Sequence, residues 1–336
     1  MSSNRLLDLY RSMRRIRAFE DAAETASQGG VSAFGQSASA KPAMVRGPLH
    51  LSTGQEAVAA GVCANLERAD LLTSTHRGHG HTLAKGADAT RMMCELYGRA
   101  PGYNKGKGGS MHIADFSVGM LGANGVVAAG IPIATGAAHA LKIRGLPQLV
   151  ACFFGDGAAN RGPFLEGLNW AQVYSLPVLF VCEDNRISAT TPTGPMTAGA
   201  GVSARAESLG MRGILVDGND VEAVDRAAAE LVAEIRVGSG PRLLHAVTYR
   251  FKGHVSVDPA GYRDPAEVQA ALRNDPLLIA RARLIERGTP AADIDTVDAQ
   301  ALAEIDAAVR TAESAPWPEV ASAYEDIMDS GAGVWK

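Results

Sequence analysis

Gly155-Asp156-Gly157 and Asn185 place two glycines, a carboxylate and an amide at the ends of two consecutive apolar runs. The first run, Leu149 to Phe154, reads as a buried strand. Pro163 to Tyr174 reads as a helix, and the second run, Leu176 to Cys182, ends in Glu183-Asp184-Asn185. Strand, tight turn, helix and strand make a βαβ unit. Open α/β sheets bind ligands at such turns, beyond the carboxyl ends of their strands. The glycines, with Ala158 beside them, let a ligand approach the backbone, and the N–H groups of a helix start attract phosphate. Asp156 adds a carboxylate to that anion site, and two neighbouring anions need a cation between them. A hard ion such as Mg²⁺ takes a carboxylate, an amide or backbone carbonyl, and phosphate oxygens. Asn185 can supply the amide oxygen. An isolated Gly-Asp-Gly equally suits an ordinary βα turn with a capping Asp. The pairing with Asn185 one strand later favours the ion site.

Four further strings carry chemical groups. His76-Arg77-Gly78-His79-Gly80-His81 packs three imidazoles and a guanidinium into one predicted turn. Arg gives bidentate phosphate contacts, and His donates to phosphate or shuttles protons. A Zn²⁺ site on His79 and His81 is an alternative without a nearby Cys or acid in the sequence, and a solvated loop is another. Gly106-Lys107-Gly108-Gly109-Ser110-Met111-His112 looks like a P-loop. It lacks the earlier glycine and the Ser or Thr after the lysine, so a structural turn fits as well. Leu121 to Val127 is a run of small residues, including Gly125, against which a flat ring can lie; a loop before a packing helix is the simpler reading. Tyr249 to His254 closes the last predicted strand. A lone strand-end His is usually structural, but His254 follows a glycine at the sheet edge where the other strings gather.

These groups need a sheet to hold them. Strand-like runs recur at 148–154, 176–183, 212–216 and 242–250, with an amphipathic helix carrying Val221, Val224, Leu231 and Ile235 between the last two. Asn219 is its predicted N-cap, with Glu222 completing a capping box. The alternation predicts an α/β fold, a doubly wound, mainly parallel sheet. Residues 1–49 read as an N-terminal helix (1–27) and a Gly/Pro-rich loop (29–48), 50–264 as the α/β domain, and 265–336 as a helical extension broken at Gly288-Thr289-Pro290 and Ala315-Pro316-Trp317-Pro318. Leu6, Leu9, Tyr10, Met13 and Arg17 recur at helical spacing, so the basic N-terminus is expected to fold and not to act as a transit peptide. Residues 117–141 contain no Asp, Glu, Lys or Arg. They are mostly Gly and Ala around Pro132, which suits a buried contact helix and not a membrane span.

The 336 residues allow a substantial core, and the net charge of −4, from 32 basic and 36 acidic residues, leaves no basic footprint for nucleic acid. Cys63, Cys94, Cys152 and Cys182 form no CxxC pair, so no disulfide framework is expected and a reducing cytoplasm fits.

The string GDGAANRGPFLEGLNWAQVYSLPVLFVCEDNRI resembles the GDG…N signature of thiamine diphosphate enzymes. It is similar to the alpha subunit of the decarboxylating dehydrogenase component of 2-oxoacid and acetoin dehydrogenases. The resemblance runs from about residue 5 to 325, apart from 29–48. It implies the diphosphate-binding half of a thiamine diphosphate fold. It further implies that Asp156, Asn185 and the main-chain oxygen of Ile187 hold Mg²⁺, with Gly155, Gly157 and Ala158 at the same turn. His76, Arg77 and His254 would meet the diphosphate, and the backbone of Gly125 and Val127 the aminopyrimidine. His254, His79 and His81 are the candidates for proton transfer. The family usually has Tyr where this chain has His76, and the strings Thr75–His81 and Ala84-Lys85-Gly86 are closer to acetoin dehydrogenases than to pyruvate dehydrogenases. Regulated animal members carry Ser where this chain has Val255, which argues against phosphorylation there, although Ser256 is adjacent. Arg161 and Asp184 also depart from the usual residues.

The family's activating Glu belongs to a beta subunit, and no second sheet is evident here. A heterotetramer of two alpha and two beta subunits is therefore expected, with the acyl product passing to a lipoyl acyltransferase. Acetoin or a small 2-oxoacid is the expected substrate. Pyruvate, a branched-chain 2-oxoacid and a transketolase-like ketol transfer are the alternatives. A nicotinamide dehydrogenase lacks support, because no G-x-G-x-x-G follows a strand.

Overall fold

The computed structural model describes residues 1–29 and 42–326. Residues 30–41 of the loop expected at 29–48, and the end of the C-terminal extension, lie outside the described residues. Helices α1 (Ser3–Ser27) and α2 (Glu56–Cys63) precede strand β1 (Leu71–Thr73). Helices α3 (His79–Ala84) and α4 (Ala89–Leu96) follow, then β2 (Met120–Gly122), α5 (Gly130–Ile143), β3 (Val150–Gly155), α6 (Gly162–Val173) and β4 (Val178–Asp184). A small hairpin of β5 (Ile187–Ser188) and β6 (Thr191–Pro192) leads into α7 (Gly201–Ser208), β7 (Gly213–Asp217), α8 (Val221–Arg236) and β8 (Arg242–Val247). Helices α9 (Pro265–Leu272), α10 (Pro276–Glu286) and α11 (Ala291–Ser314) complete the order.

The main sheet runs β2-β1-β3-β4-β8-β7, and every pairing in it is parallel. Successive side chains of a strand point to opposite faces, so each central strand feeds two cores. Ala151, Phe153, Leu179 and Val181 pack with α1, α2, α4 and α8. Val150, Cys152, Phe154, Val178 and Phe180 pack with α5, α6 and α7. The sheet is thus doubly wound, as the alternation of strands and helices predicts. α1 ties the ends of the chain together. Its Ile16 and Phe19 enter the first of these cores, and its Leu6, Leu9, Tyr10 and Met13 pack with Leu277 and Leu284 of α10 and with Ile294 of α11. All four cysteines are buried free thiols. Burial pushes Cys63 and Cys152 up to about 12 and raises Cys94 and Cys182. Among the described residues no helix is long and apolar enough to cross a membrane.

Four local expectations change. Residues 117–141 are not one helix. Gly119, Gly122 and Ala128 all have positive φ, and only Gly130 onward is helical. α5 buries Ile131, Ala134 and Ala138 but leaves Ile133 48% and Ile143 76% exposed. β1 and β2 span three residues each, too short to show an alternation. After Gly155 the chain forms a 3₁₀ turn, Asp156–Asn160, so α6 starts farther from the glycines than the sequence suggests. Finally, α8 is capped by Asp220 and not by Asn219. Asp220 Oδ1 accepts the Glu222 and Ala223 N–H groups at 3.0 and 3.3 Å, whereas Asn219 Oδ1 accepts from Thr248 Oγ1.

Asp220 also receives Arg283 of α10, with Nη2 to Oδ2 at 3.0 Å, so one carboxylate joins a helix start to the C-terminal helices. Asp220→Ala should lower stability in urea denaturation by about 0.5–2 kcal/mol, the range for a lost cap. Asp220→Asn, which keeps the cap, should lose less.

Candidate active site at the carboxyl ends of the strands

A cavity of about 210 Å³ opens where β1, β3 and β4 end. Its walls include the loop after β1 (Ser74 to Arg77), the loop from Asn124 to Ala128, the turn from Gly155 to Ala158, and the segment from Glu183 through Asn185 to Ala189. Every residue expected at the cofactor lines it: His76, Arg77, Gly125, Val127, Gly155, Asp156, Gly157, Ala158, Asn185, Ile187 and His254. His50, Gln55, Met111 and Arg250 line it as well, and the sequence did not single them out.

One wall is acidic. Asp156 is buried, and burial, reinforced by the neighbouring Asp184, pushes it up to about 6 against a hydrogen bond from Thr193 Oγ1. Burial also acts on Asp184, but His245 Nε2, 2.9 Å away, holds that carboxyl below its usual range. Asn185 Nδ2 donates to Gln55 Oε1 at 2.8 Å, and its Oδ1 accepts the Ile187 N–H at 3.1 Å, which fixes the amide's orientation. Arg186 and Ala189 have φ of 62° and 54°, and Ala128 across the cavity 73°. Such left-handed backbone in side-chain-bearing residues collects at functional sites. Gly157 is required for space, since a Cβ there would meet Ser188 Oγ at 2.5 Å.

The cavity also has a basic lining. Arg77 and Arg250 are 4% and 2% exposed. Among the described residues neither forms an ion pair. Arg77 donates to the carbonyls of Leu51 (2.9 Å) and His254 (2.8 Å) and to His254 Nδ1 (3.1 Å). Arg250 donates to the carbonyls of Lys252 and Ala189 and to Tyr262 Oη, each at 3.1 Å. Burial, then the charge of Arg250, lowers Arg77 to about 9, and burial, then Arg263, lowers Arg250. His50, His76 and His254 stand beside them. Burial first, then these cations and neighbouring imidazoles, lowers the three to about 2, 3 and 4. All three rings are therefore neutral at pH 7.

His79 and His81 do not reach the cavity. Gly78 caps α3, so both lie inside that helix, and each is closed into a buried chain. Glu20 Oε2 meets His79 Nδ1 at 2.9 Å, and His79 Nε2 meets Ser110 Oγ at 3.0 Å. Glu183 Oε1 meets His81 Nε2 at 3.1 Å, and His81 Nδ1 meets Ser74 Oγ at 2.7 Å, with the ring stacked on Phe153. The expected proton transfer by these two is therefore replaced by a positioning role. Each orients a loop that lines the cavity, at Met111 or at Ser74. The P-loop-like string is likewise committed elsewhere. Glu95 of α4 accepts the N–H groups of Asn104 (2.7 Å), Gly106 (2.9 Å), Gly108 (2.7 Å) and Gly109 (3.0 Å). The anion wrapped by this loop is the chain's own carboxylate. Ser256 is buried, with its N–H on Leu49 O and its Oγ on Ser27.

Residues 35–321 match the family model described as the dehydrogenase E1 component. The alpha subunit of acetoin:2,6-dichlorophenolindophenol oxidoreductase from Bacillus subtilis (strain 168) is 40% identical, over 98% of this chain and 95% of its own length. The subunit of the same name from Cupriavidus necator is 41% identical over 97% and 94%. The pyruvate dehydrogenase E1 component subunit alpha of Rhizobium meliloti (strain 1021) is 38% identical over 96% and 89%.

Two outcomes follow from the geometry. Glu95→Gln replaces one of the two accepting oxygens with a donor and removes two bonds to a charged group. At roughly 1.5 kcal/mol or more for each bond, the loss should be roughly 3 kcal/mol. Faster amide exchange at one of the two pairs, Asn104 with Gly106 or Gly108 with Gly109, would report it. The second outcome concerns pH. Unfolded His50 takes up a proton near pH 6.5, whereas folded His50 refuses it until about 2. Unfolding below pH 6.5 therefore binds protons, and stability falls as pH falls, by no more than about 1.4 kcal/mol per pH unit for this group. His50→Gln should have a shallower acid limb in thermal melts between pH 6.5 and 4.5. Parallel limbs would show that His50 is not held neutral.

Proposed function

The chain belongs to the dehydrogenase E1 component family, whose members are thiamine diphosphate-dependent oxidoreductases, and on that premise we propose that it is the alpha subunit of an acetoin-cleaving dehydrogenase that also requires Mg²⁺. A beta subunit is its partner, as the naming of the similar alpha subunits implies. The observation that carries the reading is the pair of opposed charges on one cavity. Two buried guanidiniums, without ion-pair partners among the described residues, and a buried carboxylate line it. A diphosphate and a divalent cation, bound together, complement both charges. Either alone would leave one of them uncompensated.

Asp156 and Asn185 Oδ1, with the main-chain oxygen of Ile187, are the groups to hold Mg²⁺; a carboxylate and two neutral oxygens suit that hard ion. Arg77 and Arg250 would neutralise the diphosphate, with His76 and His254 donating to it. The backbone of Gly125 and Val127 would carry the aminopyrimidine. When bound, the cofactor supplies the nucleophilic carbon and the electron sink for breaking the bond beside a carbonyl. The chain contributes a water-poor wall and a proton carrier. Arg77 Nη2 donates to His254 Nδ1, which places the neutral ring's proton on Nε2, so Nε2 donates and the ring takes up a second proton only at Nδ1, displacing the Arg77 contact. Burial and then Arg77 and Arg250 depress His254, and a polyanion beside the two cations would offset their part and raise it from about 4.

The activating Glu comes from the beta subunit in a two-alpha, two-beta assembly, and the acyl unit passes to a lipoyl acyltransferase. His76 in place of the usual Tyr, with the rest of Thr75–His81, supports acetoin over pyruvate. The pyruvate reading stays open through the Rhizobium relative. A cytoplasmic site of action fits the free thiols.

Calorimetric titration of the alpha–beta pair should show thiamine diphosphate binding that needs Mg²⁺ and is lost in Asp156→Ala. At a hundredfold excess over its dissociation constant the ligand should stabilise the pair by about 2.7 kcal/mol. In a dye-reduction assay the pair should turn over acetoin in preference to pyruvate and branched 2-oxoacids. Equal turnover by the isolated chain would sink the shared-site reading, and turnover of pyruvate without acetoin would sink the substrate.

A further inference from the structure

We propose that His50, His76 and His254 form a second site, overlapping the one proposed for the diphosphate, for a borderline divalent ion of the Zn²⁺ or Co²⁺ class, available when the diphosphate is absent. One nitrogen from each ring lies within 4.8 Å of the other two. The rings come from three distant segments: before α2, after β1 and beyond β8. Their centroids are 4.5 Å (His50–His76), 4.8 Å (His50–His254) and 5.9 Å (His76–His254) apart, and no pair is stacked face to face. His50 is 6% exposed, and its Nδ1 is buried without a hydrogen-bond partner.

Imidazole suits Zn²⁺, Cu²⁺ and Ni²⁺, whereas Mg²⁺ prefers oxygen. The cluster therefore differs in chemistry from the oxygen groups at Asp156 and Asn185. Zinc–nitrogen bonds of 2.0–2.1 Å in a tetrahedron place nitrogens about 3.4 Å apart, so the rings must close by at most about 1.4 Å. The neutrality of the three rings at pH 7 is the state a metal needs, because no proton has to be displaced. Arg77 and Arg250 oppose a second cation. A fourth ligand that is an anion, hydroxide or chloride from solvent, offsets them and fills the open position. If His254 binds through Nδ1, Arg77 gives up that contact but keeps its bonds to Leu51 O and His254 O.

Because Arg77, His76 and His254 are also the groups assigned to the diphosphate, the ion and the cofactor exclude each other. This half of the inference rests on the function proposed above. The complex with its beta subunit, stripped by a chelator and dialysed, would be titrated with Co²⁺ alone. The expected result is one equivalent per alpha chain with the intense visible absorption of four-coordinate cobalt. Zn²⁺ should quench the signal and excess Mg²⁺ should not. His50→Gln, His76→Tyr and His254→Gln should each weaken Co²⁺ by more than about 10-fold, the least effect known for loss of a mere outer-shell partner. Circular dichroism would verify folding, and His139→Gln, outside the cluster, should bind normally. Weak octahedral absorption, or affinity indifferent to the three substitutions, overturns the site. Saturating thiamine diphosphate with Mg²⁺ should raise the apparent Co²⁺ dissociation constant at least 10-fold. Unchanged affinity, in a sample where calorimetry shows the cofactor bound, overturns the exclusion. Failure of the cofactor to bind in calorimetry refutes the earlier reading instead, while the cobalt spectrum still decides the metal site.

Discussion

The guanidiniums of Arg77 and Arg250, buried at the cavity without carboxylate partners among the described residues, are the constraint around which this protein is arranged. An ion taken out of water costs several kcal/mol even after relaxation, and a lone one is tolerated only where hydrogen bonds meet its donors. Arg77 and Arg250 meet theirs mainly with main-chain carbonyls, from Leu51 and His254 in one case and from Lys252 and Ala189 in the other. Those carbonyls belong to loops, which must therefore hold still. The parallel sheet supplies the fixed frame, and the loops after its strands converge on one cavity as a result.

Buried acids hold the loops. Glu20 and Glu183 each fix a histidine that fixes a serine, and Glu95 gathers four N–H groups of the glycine-rich loop. Glu20 and Glu95 have both oxygens occupied within the protein, and Glu183 has Oε1 on His81. The division is plain in physical terms. Acids with several donors around them hold loops, whereas Asp156, buried beside Asp184 with a hydrogen bond from Thr193, is pushed up to about 6.

The unit from β3 through α6 to β4 was legible because two long apolar runs and a glycine turn leave few alternatives. Asp156 and Asn185 were legible with it, being fixed to strand ends. The alternation of strands and helices likewise gave the doubly wound sheet. β1 and β2 were not legible, because three residues carry no period. His50 and Gln55 gave no signal, since each is a single residue in a stretch without regular spacing, and only the tertiary fold brings them to the cavity. The string of three histidines misled for a related reason. α3 begins at His79, and on a helix residues two apart point to nearly opposite sides. His79 therefore turns to Glu20 and His81 to Glu183, while His76, still in the loop, faces the ligand space. The partner of the glycine-rich loop, Glu95, lay close by in sequence. A loop built like an anion nest but lacking the P-loop pattern was the available clue.

The burial of the four thiols bears on how the protein meets oxidants. Thiolate is the reactive form, and a thiol pushed up to about 12 has almost none of it at neutral pH. None of the four lines the cavity. Sulfenic acid formation and mixed disulfides with small thiols therefore have no foothold at the site. The oxidisable sulfur that does touch the cavity is the half-buried thioether of Met111. Its oxidation to sulfoxide would set a polar group among the cavity's apolar contacts, and it is reversed by methionine sulfoxide reductases and not by thiol exchange.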